Sequence, residues 1–357
     1  MDDEVCQGLR RTRQSRRGAS GPLTVPTISL ERFLHGSAEE KAEVARLWDA
    51  ACAEVGFLRV VGHGVPLETI ETMWEQTTAF FDRPLEEKRT VQMSEAYPYG
   101  YTGFGGENLQ ASLEAAAKNP PDAKEMFSIC LGGALPAADL PPPQWPPASA
   151  AMQAAWRAYY AALSSLAASL YQVCALALGL PIDWFEEKIT RHRDVIRAIN
   201  YPEQPEPPPA GQVRASVHTD YGALTILRLG GEYAGGLQVM GVGGEWVDVE
   251  TDGLDAFVIN LGDLMARWTN DRWLSTPHRV VNPPEASAAK ARRQSIAYFC
   301  NINMDAVVEC IPTCVGEGAK YEPITAGEHL MKKHLQTVAG QLCYAPPAEA
   351  EASPQQA

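Results

Sequence analysis

VRASVHTDYGALTILRL, residues 213 to 229, decides the fold, and its centre is His218-Thr219-Asp220. Side chains of a strand alternate between faces, so Arg214, Ser216, His218 and Asp220 share one face and Val213, Ala215 and Val217 the other. An imidazole and a carboxylate therefore point the same way. In an ordinary half-buried strand that polar face would meet water. A second β-like run, Ser275-Thr276-Pro277-His278-Arg279-Val280-Val281, supplies another histidine that only folding can bring to the first.

From Arg197 onward, period-two runs recur about every ten residues with glycine turns between them. They lie near 197–201, 213–219, 224–229, 237–240, 245–249, 256–260, 278–282 and 293–299, and Gly241-Val242-Gly243-Gly244 reads as a hairpin between two of them. Eight short strands at this spacing predict a double-sheet jelly roll. Upstream, TISLERFL (27–34) reads as a strand and turn. Ser37 with Glu40 forms a capping-box signal for a helix that stops near Gly56. GFLRVVGHGVP (56–66) is a strand closed by glycines, and a second helix runs from Pro66 to about Phe81. His63, between two glycines, reads as a structural histidine. Residues 136–148, PAADLPPPQWPPA, form a connector that cannot carry a ladder. A helix follows from about Ala148 to Leu178, then a shorter one over 183–190.

The fold expected is mainly β with flanking helices: a double-stranded β-helix (jelly-roll) core behind a helical N-terminal region. Its divisions are a basic tail (1–24), an N-terminal helix and strand region (25–147), backing helices (148–190), the jelly roll (191–335) and a C-terminal tail (336–357).

The formal charge is −14, from 30 Lys and Arg against 44 Asp and Glu. Clustered cations, which nucleic acid and anionic membranes require, are not in prospect, and a small molecule is the expected partner. Eight cysteines are spread without a CxxC pair and read as reduced thiols of a cytoplasmic protein. Arg10, Arg11, Arg13, Arg16 and Arg17 have no apolar run after them, which excludes a secretory signal. An organelle transit peptide is the alternative, against which Asp2, Asp3 and Glu4 weigh. The uncharged stretch Ala158 to Ile182 is interrupted by Ser164, Ser165, Ser169 and Gln172, and is expected to be a buried helix rather than a membrane span.

Two histidines and one carboxylate make the facial triad of non-haem Fe(II) oxygenases. HxD alone is a weak signal. Fifteen residues after His278, however, Arg293 and Ser295 share a strand face with Ala297 and Phe299, and an inward arginine calls for an anion, either an internal carboxylate or a ligand. Together HTD (218–220), STPHRV (275–280) and RQS (293–295), with GFLRVVGHGV (56–65), NYP (200–202) and VINLGDLMARWTND (258–271), resemble the iron(II)/2-oxoglutarate-dependent oxygenases, in the branch of isopenicillin N synthase. The resemblance covers roughly residues 25 to 335. It implies Fe(II) at His218, Asp220 and His278, and 2-oxoglutarate held by Arg293 and Ser295 with Tyr201 assisting. It further implies consumption of O2 and oxidation of a small, biosynthetic substrate by hydroxylation, desaturation or ring closure. Phe299, Tyr99 and Phe104 are candidate substrate contacts, each with plain packing as the alternative. Two other readings stay open: an oxidase that uses no 2-oxoglutarate, with Gln336 as a further ligand, and a non-catalytic binding protein.

Overall fold

A computed structural model describes residues 24–94, 97–109, 120–133, 140–231, 235–249, 255–284 and 291–341. The basic tail up to residue 23, Cys6, Cys343, residues 136–139 of the connector and the C-terminal run from 342 lie outside the described residues.

Strand β1 (Thr27–Ser29) and a one-turn α1 (Glu31–His35) lead into α2 (Ala38–Glu54). Ser37 caps α2 reciprocally: Glu40 N donates to its hydroxyl at 3.3 Å, while Ser37 N donates to Glu40 Oε2 at 2.9 Å. Such a cap contributes about 1 kcal/mol. Next come β2 (Phe57–Val61), α3 (Leu67–Phe81), α4 (Leu85–Arg89), β3 (Gly100–Thr102), β4 (Glu125–Cys130) and the long α5 (Ala150–Ala177). On α5, Trp156, Tyr159, Leu163, Leu166 and Leu170 recur at helical spacing and are buried, against α2, α3 and the main sheet. By length and apolarity α5 could cross a membrane, but here it is the core helix that the sequence predicts. The shorter helix expected over 183–190 is reduced to one 3-10 turn at Glu186–Lys188. There Trp184 and Phe185 pack on Trp268 with ring centroids at 5.5 and 5.1 Å, and this aromatic packing overrides helix propensity.

The eight expected strands are all present: β5 (Val195–Tyr201), β6 (Ala215–His218), β7 (Leu224–Gly231), β8 (Leu237–Met240), β9 (Trp246–Asp248), β10 (Phe257–Leu261), β11 (His278–Val280) and β12 (Arg293–Cys300). Helix α6 (Asp263–Trp268) follows β10, and a small β13 (Val307–Val308) and β14 (Ile324–Thr325) ribbon precedes α7 (Ala326–Gln341). The strands form an eight-stranded sheet, β1-β2-β10-β7-β12-β5-β4-β3, and a four-stranded sheet, β6-β11-β8-β9. The N-terminal region is thus built into the large sheet: β2 lies beside β10, and β4 beside β5. Within residues 97–104, β3 forms one edge of the large sheet.

Alternation sorts the large sheet's side chains into two cores. Ile296, Tyr298 and Cys300 of β12 join the cluster beneath the helices. Tyr201, Leu229 and Val258 face the other way, into a smaller cluster with Ala215, Leu237, Val239 and Val280 of the four-stranded sheet. This second cluster is the interior of the jelly roll. Inner-face residues form rows across the strands, spaced roughly 7 Å apart along them. One row, set by register, runs Cys130, Val195, Phe299, Thr225, Asn260, Phe57. The next runs Ser128, Arg197, Ala297, Leu227. Beyond it lie Met126, Ile199, Ser295 and Leu229, and then Tyr201 and Arg293.

The four-stranded sheet corrects the simple alternation read from residues 213–220. His278 pairs with His218, but Val280 pairs with Ala215, so Ser216 and Val217 of β6 together oppose the single Arg279 of β11. This bulge puts Ala215 in the interior cluster on the same side as His218, where strict alternation opposes them. Bulges re-aim side chains in this way, often beside active sites. Asp220 lies beyond the end of β6, and a turn, not strand parity, aims its carboxylate.

Candidate active site

His218 and His278 face each other across β6 and β11, with ring centroids 4.2 Å apart. Each Nδ1 lies by the carbonyl two residues upstream: His218 by Ser216 O at 2.8 Å, His278 by Thr276 O at 3.1 Å. A carbonyl only accepts, so each Nδ1 carries the proton and each Nε2 keeps a free lone pair. Burial, with His278 alongside, pushes the His218 pKa well below its ordinary value, which keeps this imidazole neutral.

The carboxylate is held just as specifically. Thr225 Oγ1 and Asn260 Nδ2 both donate to Asp220 Oδ2, at 2.5 and 2.6 Å. Oδ1 therefore turns toward the histidines, 3.9 Å from His218 Nε2 and 3.8 Å from His278 Nε2. These separations are too long for hydrogen bonds. Burial alone would raise the Asp220 pKa, but the two histidines and the two side-chain donors outweigh it and hold it below the usual carboxylate value. One carboxylate oxygen and two imidazole nitrogens, all within 4.8 Å of one another, form the donor set that suits a divalent transition metal with open positions.

The turn carrying Asp220 is clamped from below. Asp263 N donates to Asp220 O at 2.8 Å, and Gly262 N to Ala223 O at 3.1 Å. A Cβ at Gly262 would lie 2.2 Å from Gly222 O, so only glycine allows this approach. Asp263 ties both metal-side segments together, accepting from Thr219 Oγ1 at 3.1 Å and Ser275 Oγ at 2.6 Å, with Lys333 of α7 at 2.7 Å. His329 of α7 adds a contact from Nε2 to Tyr221 O at 3.1 Å. Burial pushes the His329 pKa down to about 4, while the unfolded chain's histidine titrates near ~6.5. Between these values the unfolded state binds more protons, so stability falls as pH drops through that window. His329→Gln should flatten part of this slope in denaturant unfolding run from pH 7 to 4; an identical slope would show that His329 does not contribute.

At the far end of the interior, Arg293 and Tyr201 are register partners, and the guanidinium lies 4.8 Å from the tyrosine ring centre. Arg293 and Ser295 are each 1% exposed, and Arg293 Nε donates to Gly235 O at 3.1 Å. Between this end and the metal-side row, β12 carries only the small side chains of Ser295 and Ala297 on this face. Phe299 is half-buried in the metal-side row, next to Thr225. Tyr99 is half-buried beside the Cys130 thiol. Phe104 is 57% exposed, so neither pocket lining nor core packing describes it. Gln336 falls on α7, but its side chain lies outside the described residues. His63 is structural in its bonding: Val65 N donates to Nδ1 at 3.0 Å, and Nε2 donates to Asp255 O at 2.7 Å.

Sequence reading missed a buried ionic network beside His218. Lys124 Nζ holds Glu107 Oε2 at 2.9 Å and Asp122 Oδ2 at 3.0 Å, and Arg197 Nη1 holds Glu107 Oε1 at 3.2 Å. Asp122 Oδ1 accepts from Ser216 N and Oγ at 3.0 and 2.6 Å. Burial alone would raise the Glu107 pKa, but the Lys124 and Arg197 charges bring it down to about 2. The only signal for it was the parity that puts Arg197 on the same face as Ile199 and Tyr201.

A jelly roll with this constellation defines a non-haem iron oxygenase, and comparison with known proteins agrees. Residues 25–148 match the family described as non-haem dioxygenase in morphine synthesis N-terminal, and residues 192–302 match the 2OG-Fe(II) oxygenase superfamily. Among curated relatives, the 2-oxoglutarate-Fe(II) type oxidoreductase hxnY of Emericella nidulans is 30% identical over 88% of this chain and 91% of its own. Homoarginine-6-hydroxylase 2-ODD-233 of Oryza sativa subsp. japonica is 33% identical over 83% and 90%. The crystal structure of a full-length Neurospora crassa protein in complex with alpha-KG and thymine superposes with a TM-score of 0.76 at 28% identity, covering 90% of this chain and 99% of that one. The chain belongs to the iron(II)/2-oxoglutarate-dependent oxygenase superfamily. It is an oxidoreductase acting with O2, with Fe(II) as cofactor and 2-oxoglutarate as co-substrate, and its substrates are small molecules.

Proposed function

We propose that His218, Asp220 and His278 hold the iron(II), that Arg293 and Ser295 with Tyr201 hold the far carboxylate of 2-oxoglutarate, and that the enzyme hydroxylates, desaturates or cyclises a biosynthetic small molecule in the cytoplasm. The observation that carries this reading is the convergence of two free Nε2 atoms and one aimed carboxylate oxygen. When bound, iron(II) and 2-oxoglutarate supply an O2-driven oxidative decarboxylation to succinate and CO2, and with it the power to oxidise a C–H bond.

The chain's own residues then do four things. Thr225 and Asn260 spend both their hydrogen bonds on Asp220 Oδ2 and so present Oδ1. The two backbone carbonyls fix the imidazole tautomers. Arg293 offers a planar fork that matches a carboxylate, with the Ser295 hydroxyl one row nearer the iron site. Phe57, whose ring stands edge-on to His278 at 5.1 Å, closes one side of the site against water.

A screen of small biosynthetic compounds for stimulated succinate release tests the reading. Absence of any 2-oxoglutarate-dependent succinate, with or without added compounds, would contradict it. The positioning role of Thr225 and Asn260 makes its own prediction. Thr225→Val keeps the shape and removes the donor, so iron affinity should fall by about tenfold, and by up to ~100-fold when Asn260→Ala is added. An iron dissociation constant that stays at the wild-type value in the double variant would mean that Asp220 is aimed by other contacts.

A further inference from the structure

Arg197 combines features that a purely structural arginine lacks. It stands on the inner face of β5, a strand flanked on both sides by β12 and β4. Its side chain, on the face that carries Ile199 and Tyr201, remains 29% accessible. Ser128 Oγ and Glu107 Oε1 fix its orientation, accepting from Nε at 3.1 Å and from Nη1 at 3.2 Å. Among the described residues its hydrogen bonds run from these two nitrogens, which leaves Nη2 to donate to a ligand. The guanidinium lies 5.6 Å from the ring centre of Phe299, and Phe299 pairs with Thr225, the residue that holds Asp220. Arg197 is two strands across and one row along from Thr225, about 12 Å away. A six-membered ring with its substituents bridges that distance.

Pinning the 103–109 segment does not require Arg197. Lys124, 3% exposed, already grips both Glu107 and Asp122. The held fork beside a half-buried aromatic ring is a recognition element for a flat, conjugated group with an oxygen acceptor. We propose that Arg197, set by Glu107 and Ser128, is the substrate-docking residue: it takes a carboxylate or carbonyl oxygen of a small planar substrate whose ring lies against Phe299. This rests on the assignment of the iron and 2-oxoglutarate sites above.

The experiment uses the full chain loaded anaerobically with Fe(II) and 2-oxoglutarate, and follows the charge-transfer absorption of that complex. Benzoate, benzamide and aniline are titrated into wild type, Arg197→Gln and Arg197→Lys. Benzoate or benzamide should perturb the band of the wild type. The apparent affinity should fall at least tenfold in Arg197→Gln and less in Arg197→Lys, since a point charge replaces only part of the fork; aniline should have no effect. A response to benzoate supports a carboxylate substrate, and a response to benzamide a carbonyl one. The inference is overturned if neither compound perturbs the wild type, if aniline does so equally, or if Arg197→Gln responds unchanged. It is also overturned if Arg197→Gln loses the absorption itself, because the arginine would then serve the co-substrate. Failure of the wild type to form the band would instead strike at the iron and 2-oxoglutarate assignment, and this inference would fall with it.

Discussion

Alanine in place of His278 should leave the protein folded but without iron and without turnover. His278 begins β11 and contributes one of three donor atoms, its Nε2 lying 3.8 Å from Asp220 Oδ1. Perturbing residues that only support metal ligands already costs about ten to a hundredfold in affinity, so loss of a ligand should exceed a hundredfold. It also removes one of the groups that hold the buried Asp220 carboxylate in its charged form. His63→Ala is the control, because His63 bonds to Val65 N and Asp255 O, away from the three donors. That variant should keep iron and activity and lose some stability. Metal analysis of purified protein, alongside thermal unfolding, reads both. Wild-type iron content and full activity in His278→Ala would refute the ligand assignment.

The second large effect concerns Arg293. Its guanidinium is buried, over the Tyr201 ring at 4.8 Å. A charge-assisted hydrogen-bonded pair shielded from water contributes roughly 1.5 to 3 kcal/mol, and tenfold in affinity corresponds to about 1.4 kcal/mol. Arg293→Ala should therefore weaken 2-oxoglutarate binding by about ten to a hundredfold, measured by anaerobic calorimetry on the iron-loaded protein. Arg293→Lys should recover only part, because an ammonium cannot reproduce two parallel bonds. Wild-type affinity in Arg293→Ala would place the co-substrate's anchor elsewhere.

Much of this architecture can be read in the amino acids, for identifiable reasons. The eight strands from Arg197 onward were legible as short apolar runs recurring between glycine turns, although β10 and β12 are buried nearly throughout and so on both faces. His218, Asp220 and His278 could be singled out by residue type and motif, although strand parity was the wrong reason for Asp220. The bulge that shares the interior between Ala215 and His218 leaves no mark in a sequence of ordinary strand formers. The helix expected over 183–190 failed because Trp184 and Phe185 found better packing on Trp268 than a continued helix offers. The network of Glu107, Asp122, Lys124 and Arg197 was invisible for another reason. Three of its members, Glu107, Asp122 and Lys124, lie outside any helix or strand, where no period says which way a side chain points.

Joint dependence on iron and 2-oxoglutarate is tested by titrating metal-free protein with Fe(II) anaerobically, with and without 2-oxoglutarate, and then admitting O2 while succinate is quantified. The protein should bind one iron per chain, show a charge-transfer absorption only when both Fe(II) and 2-oxoglutarate are present, and form succinate on exposure to O2. Iron uptake with no spectral response to 2-oxoglutarate, or oxidised product formed from a substrate with iron and O2 alone, would contradict that joint dependence.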